Sequence, residues 1–162
     1  MNKITVFSLG GEFKKLENPV FSAAKALLEA FGKNNIYLEI YLAGDKIMKF
    51  LNKKFRNKNK AADVLSFNES EEFPHPELIS RGKTKKIKPI GEIYINLTND
   101  LQLTTNSSRG LSVVSYQLLV HGLLHLFGYD HKKKSDRIKM EKIEKILIGK
   151  LKINHSIFKS AI

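Results

Sequence analysis

Cysteine and tryptophan are both missing from the 162 residues, and proline occurs only four times. Without cysteine there can be no disulfide and no thiolate metal site, a composition that fits a reducing cytosol. No apolar run comes near the roughly 20 residues that a membrane-crossing helix needs. Met1 to Gly11 holds no apolar stretch long enough for a signal peptide, so a cytoplasmic location is expected. Acid is scarce as well: 16 Asp and Glu stand against 28 Lys and Arg, for a net charge of +12. A field of that sign attracts polyanions. A lysine-rich genome would raise the total by itself, but it would not cluster the cations. Lys49, Lys53, Lys54, Arg56, Lys58 and Lys60 follow one another with no acid between them, and so do Arg81, Lys83, Lys85, Lys86 and Lys88. Such runs can supply the phosphate contacts that dominate sequence-independent nucleic-acid affinity.

With 42% of residues apolar, the chain is not disordered, and its length suits one domain over 1–162 with a single core. The most informative stretch is His121-Gly122-Leu123-Leu124-His125-Leu126-Phe127-Gly128-Tyr129-Asp130-His131, which carries three of the five histidines. From Leu118 to Phe127 only His121, Gly122 and His125 are not large and apolar. A helix that is apolar all round lies buried, and imidazoles placed there need partners. His121 and His125, four apart, share one helix face. If the helix continued, His131 would lie roughly 9 Å further along. Gly128 is the residue type that ends a helix in a left-handed turn, which can bring His131 back. Three histidines with an open fourth position describe a catalytic zinc site; structural sites are closed and mostly cysteine-rich. Nickel or copper would also suit three imidazoles.

The spacing from His121 to His131 is that of HExxHxxGxxH metalloproteases. Their glutamate base is replaced by Gly122, which points to a hydrolase of another substrate.

The remaining chain reads as strands and helices in alternation. Lys3–Leu9 is a strand. Asn18 and Pro19 open a helix that Gly32 closes. Ile36–Leu42 is a strand with Tyr37, Glu39 and Tyr41 on one face. Asp45 to about Phe55 is a helix burying Ile47, Met48, Leu51 and Phe55, and Arg56 at its end is on spacing alone a helix-end cation. Val64–Phe67 and Ile90–Ile95 are strands, with Glu92 and Tyr94 on the same face of the second. Between them, 68–89 is a long loop of the kind that is often functional, and its His75 reads as a surface residue. A short helix over 96–104, a turn over 106–110 and the histidine helix from about Leu111 to Phe127 follow. Ser135 or Asp136 begins a last helix with the stripe Met140, Ile143 and Leu147 and a solvated charged face. The basic tail from Lys150 holds His155, not expected to be a ligand. This order implies an α+β domain with a mixed sheet of about four strands and about five helices.

At this point His121-Gly-x-Leu-His125-Leu-x-Gly-Tyr-Asp-His131 resembles the signature of the YbeY family of bacterial endoribonucleases. The resemblance extends to Leu51-Asn52-Lys53-Lys54-Phe55-Arg56, to Asp63-Val64-Leu65-Ser66-Phe67 and to Gly91-Glu92-Ile93-Tyr94-Ile95. The chain departs from the family at Ala61-Ala62, where Pro-Thr is usual, and at Asn68, where proline often stands. It also has Glu92 in place of aspartate and Lys132, Lys133 and Lys134 where acids are common. The resemblance implies a zincin-like metal helix and Zn²⁺ on His121, His125 and His131. It further implies cleavage of single-stranded RNA in small-subunit 3′-end maturation and ribosome quality control, with Arg56 in a catalytic role. The RNA would lie on Lys53, Lys54, Arg56, Lys58 and Lys60. Tyr129 and Asp130 are candidates for supporting the ligands or for shaping the turn, and Glu92 is either a supporting acid of the site or an exposed strand residue. The expected partners are ribosomal RNA and the small ribosomal subunit, with neither DNA nor membrane. An atypical metallopeptidase and a non-catalytic assembly factor with a structural metal are the competing readings.

Overall fold

The structure, a computed structural model, describes residues 1–69, 87–99 and 113–159, with backbone alone at 113 and 151–159. Strand β1 (Lys3–Ser8) leads through a 3-10 helix (Gly11–Leu16) into α1 (Glu17–Ala30), then β2 (Ile36–Ala43) and α2 (Asp45–Arg56). Strands β3 (Val64–Asn68) and β4 (Lys88–Asn96) precede α3 (Val113–Leu126) and α4 (Lys134–Lys159). The result is an α+β fold with a four-stranded mixed sheet and four α-helices among the described residues. The helix expected over 96–104 falls largely outside the described residues, as do the turn after it, His75 and most of the long loop.

The strand order is β1-β2-β4-β3. β1, β2 and β4 run parallel, and β3 runs antiparallel to β4 at the edge. Parallel neighbours need a crossover, and α1 supplies the one from β1 to β2. Two-residue periodicity sends Leu38, Ile40, Leu42, Ile93 and Ile95 to one face, where they meet α1, α3 and α4 in the main core. The other face carries Tyr37, Glu39, Tyr41, Glu92 and Tyr94. α2 closes one end of it, with Met48 beside Ala43 and Leu65.

Three elements differ from the sequence reading. α1 starts at Glu17, and the 3-10 helix before it was not anticipated; Pro19 still lies in the first turn, where its missing N–H costs nothing. On α2 the buried positions are Met48 and Asn52, and Phe55 is 55% exposed. Phe55 sits against the edge strand β3, where no further strand covers it among the described residues. Asn52 is buried because its side chain donates to Lys60 O (2.8 Å) and holds the chain leaving the helix. Finally, α4 does not fray at Lys150 but continues to Lys159, through a segment free of proline. Among the described residues no helix is long and apolar enough to cross a membrane.

Candidate metal centre

α3 is buried as its composition requires: Leu119, Val120, Leu123 and Leu124 are inaccessible to solvent. Gly122 lets it approach the sheet closely. A Cβ at that position would lie 2.9 Å from Ile93 Cγ2, 3.0 Å from Ser66 Oγ and 3.2 Å from Val64 Cγ2. The Ser66 hydroxyl donates to Gly122 O at 3.1 Å. No side chain fits between α3 and β3. The glutamate that a protease carries beside its first histidine is thus excluded by packing, and its absence is a consequence of how the helix is seated.

The helix stops as Gly128 predicts. Gly128 takes φ +84°, its N–H bonds His125 O at 2.9 Å, and the Tyr129 N–H bonds Leu124 O at 3.0 Å. This left-handed cap turns the chain so that His131 returns to the first two histidines. Its ring centroid lies 5.5 Å from that of His121 and 5.0 Å from that of His125. One nitrogen from each of the three rings lies within 4.8 Å of the others, an arrangement that could hold a metal ion.

Hydrogen bonds on the far side of two rings fix their tautomers. His125 Nδ1 lies 3.0 Å from Tyr129 O, a carbonyl that can only accept, so Nδ1 carries the proton. His121 Nδ1 lies 2.7 Å from the Glu144 carboxylate on α4. Burial lowers the pKa of His125, and the neighbouring His121 and His131 lower it further. With Nδ1 engaged on the far side of both rings, the Nε2 atoms of His121 and His125 face each other at 3.0 Å. A proton shared between them or a coordinated cation matches the two nitrogens at that distance. The donor set therefore fits a divalent metal ion, with hydrogen-bonded imidazoles of the kind that such sites use.

The surroundings form a cavity of about 710 Å³. Arg56, Ser66 and Phe67 line it on one side; the three histidines, Tyr129, Asp130 and Lys132 line it on the other. Arg56 reaches it from the end of α2, its Nη2 at a long 3.4 Å from Ser66 O. Asp130 contacts the backbone: its carboxylate accepts the His131 N–H at 2.7 Å and pairs with Lys132 at 3.2 Å. The His131 N–H, and then Lys132, hold its pKa below the usual carboxylate value. Asp130 thus shapes the loop that carries His131, the structural one of the two roles that its position allowed. Tyr129 contributes through its carbonyl.

Glu92 does not join this group. It points to the opposite face of the sheet, bonded by the Tyr94 hydroxyl at 2.9 Å. Lys53, Lys54, Lys58 and Lys60 are exposed and do not line the cavity. Glu144 is the residue that sequence reasoning missed, placed with a solvated face. A signal existed: Glu144 is four residues after Met140 and one after Ile143, inside the apolar stripe, and a carboxylate at an inward position needs a partner.

Comparison with known proteins covers most of the chain. Residues 7–152 match the family model described as Endoribonuclease YbeY. The Endoribonuclease YbeY of Aquifex aeolicus (strain VF5) is 33% identical over 129 residues, 79% of this chain and 79% of its own length. That of Thermodesulfovibrio yellowstonii is 34% identical over 131 residues, 79% of this chain and 76% of its own. The Myxococcus xanthus protein of that name matches at 29% over 91% of this chain, but only 48% of its own length, so the chain spans about half of that relative. A solution structure from Thermotoga maritima aligns over 93% of both chains at 23% identity and a TM-score of 0.49, a likeness too loose to bear on the assignment.

Proposed function

The chain belongs to the Endoribonuclease YbeY family, and on that premise we propose that it is a zinc-dependent endoribonuclease of single-stranded RNA. It acts in small-subunit ribosomal RNA 3′-end maturation and ribosome quality control in the cytoplasm, as one domain over 1–162. The observation that carries this reading is the convergence of ring nitrogens from His121, His125 and His131 in the same cavity as a guanidinium.

His121, His125 and His131 would hold the ion. When bound, a zinc ion lowers the pKa of its water from about 15.7 to about 7. Glu144 and the Tyr129 carbonyl keep the imidazole protons on Nδ1, so that both Nε2 atoms stay available. Arg56 offers its planar fork to the phosphate and offsets the charge that builds there as the bond breaks. The exposed Lys53, Lys54, Lys58 and Lys60 attract the RNA backbone. Two observations count against a peptidase: Gly122 leaves no room for the glutamate base, and Glu92 lies across the sheet.

The test is incubation of protein of verified metal content with end-labelled single-stranded RNA, with and without chelator. Cleavage should disappear with chelator and return with zinc; elemental analysis of the purified protein distinguishes zinc from nickel or copper. Arg56→Ala should keep its metal and cut on the order of 100-fold more slowly, the scale of losing one charge-stabilising donor. Metal-loaded protein that binds RNA and leaves it intact would establish an assembly factor in place of a nuclease.

A further inference from the structure

α2 turns two large rings outward. Phe50 and Phe55 are 62% and 55% exposed. Single apolar residues on a surface need no explanation, but these two are joined to each other and to the cavity. Lys54 Nζ lies 6.0 Å from the centroid of Phe50 and 5.2 Å from that of Phe55. Phe55 meets Phe67 edge-on at 5.1 Å, and Phe67 lines the cavity with Arg56 and the histidines. Phe67, whose ring meets Tyr94 at 5.8 Å, Phe55, Lys54 and Phe50 therefore form a continuous row along α2, and Arg56, the residue after Phe55, joins that row to the cavity. Phe50 and Phe55 are five residues apart, roughly 7.5 Å along the helix axis.

Charge selects the occupant. Lys46, Lys49, Lys53 and Lys54 are all exposed, and no acid occurs between Asp45 and Asp63. A second copy of the chain would bring the same cations against their like. A double helix hides the faces of its bases. Exposed rings interleaved with cations match an unpaired strand, whose bases stack on aromatics while its phosphates meet lysines. We propose that the outer face of α2 is a stacking track for the unpaired nucleotides next to the phosphate held at Arg56, with Phe50 and Phe55 each receiving a base. The proposal rests on the nuclease reading for its substrate and adds the surface that selects unpaired strands.

Because the chain contains no tryptophan, Phe50→Trp installs a single fluorescent reporter on the track. The metal-loaded variant is titrated with a 2′-O-methylated single-stranded oligonucleotide, with the same sequence as a duplex, and with inorganic polyphosphate of equal charge. Strong quenching by the single strand alone is expected. Phe50→Ala should weaken single-strand binding by roughly tenfold and raise KM for RNA cleavage, with metal content and kcat unchanged. Equal quenching by duplex or polyphosphate, or none by the single strand, would overturn the track. So would a concentration-dependent blue shift without RNA, because it would show a second copy covering Phe50. Quenching without cleavage of unmodified RNA would uphold the track and refute the nuclease; cleavage without quenching would do the reverse.

Discussion

On the far face of the sheet, Glu39 accepts from the hydroxyls of Tyr37 and Tyr41, and Glu92 accepts from Tyr94. On the near face, His121 and His125 direct their Nδ1 atoms to Glu144 and to the Tyr129 carbonyl, with their Nε2 atoms 3.0 Å apart. Both clusters are partly buried polar groups in an apolar setting, where an unmatched donor or acceptor costs roughly 1–3 kcal/mol. In the far cluster hydroxyl meets carboxylate, and the rings of Tyr41 and Tyr94 stack at 4.6 Å. Burial and the nearby carboxylates push both of these phenols up, so they remain donors. In the near cluster one nitrogen from each of three rings converges within 4.8 Å of the others. A closed network supports a structure, whereas converging donor atoms that can share one cation mark a site.

The largest effect that would break this contrast is at the near cluster. His125→Ala should abolish stoichiometric metal binding and cleavage together, read by elemental analysis and RNA assay; a variant that retains one ion per chain removes His125 from the ligand set. Glu144→Ala should weaken metal affinity by roughly 10- to 100-fold, the usual consequence of removing a carboxylate behind a ligand imidazole. Competition with a chromophoric chelator measures it, and Glu144→Gln, which can still accept from Nδ1, should recover part of the loss. Gly122→Ala should destabilise the fold by roughly 1–3 kcal/mol, because the new methyl overpacks the contact with Ile93 and Ser66. Urea unfolding reports this directly. The smallest change belongs to the far face. Tyr41→Phe should cost about 1 kcal/mol for one lost hydrogen bond and leave metal affinity unchanged, and a fall in affinity would mean that the two faces are coupled.

Much of the fold could be read from the chain because periodicity is a local property. Alternation in Ile36–Leu42 and Ile90–Ile95 separated the two faces of the sheet, and the run around His121 identified the buried helix. The i, i+4 spacing and Gly128 together foretold that three imidazoles would approach one point. Phe55 was misplaced because helical spacing shows which residues share a stripe and not where the neighbouring sheet ends. Asn52 was missed because its burial depends on the carbonyl of Lys60, which belongs to the loop beyond the helix. Glu92 is a plausible active-site acid in one dimension, and the pleat of β4 alone sends it to the wrong face.

Sequence by itself determined the histidine spacing, the glycine that ends the helix, the surplus of cations and the absence of any thiolate. These follow from residue type and short-range geometry. Tertiary structure alone decided that Glu144 stands behind His121, that Arg56 shares a cavity with the imidazoles, and that α3 presses too close to Ser66 for any side chain at position 122. Each of these joins residues separated by ten or more positions, and such distances are set by how the helices seat on the sheet.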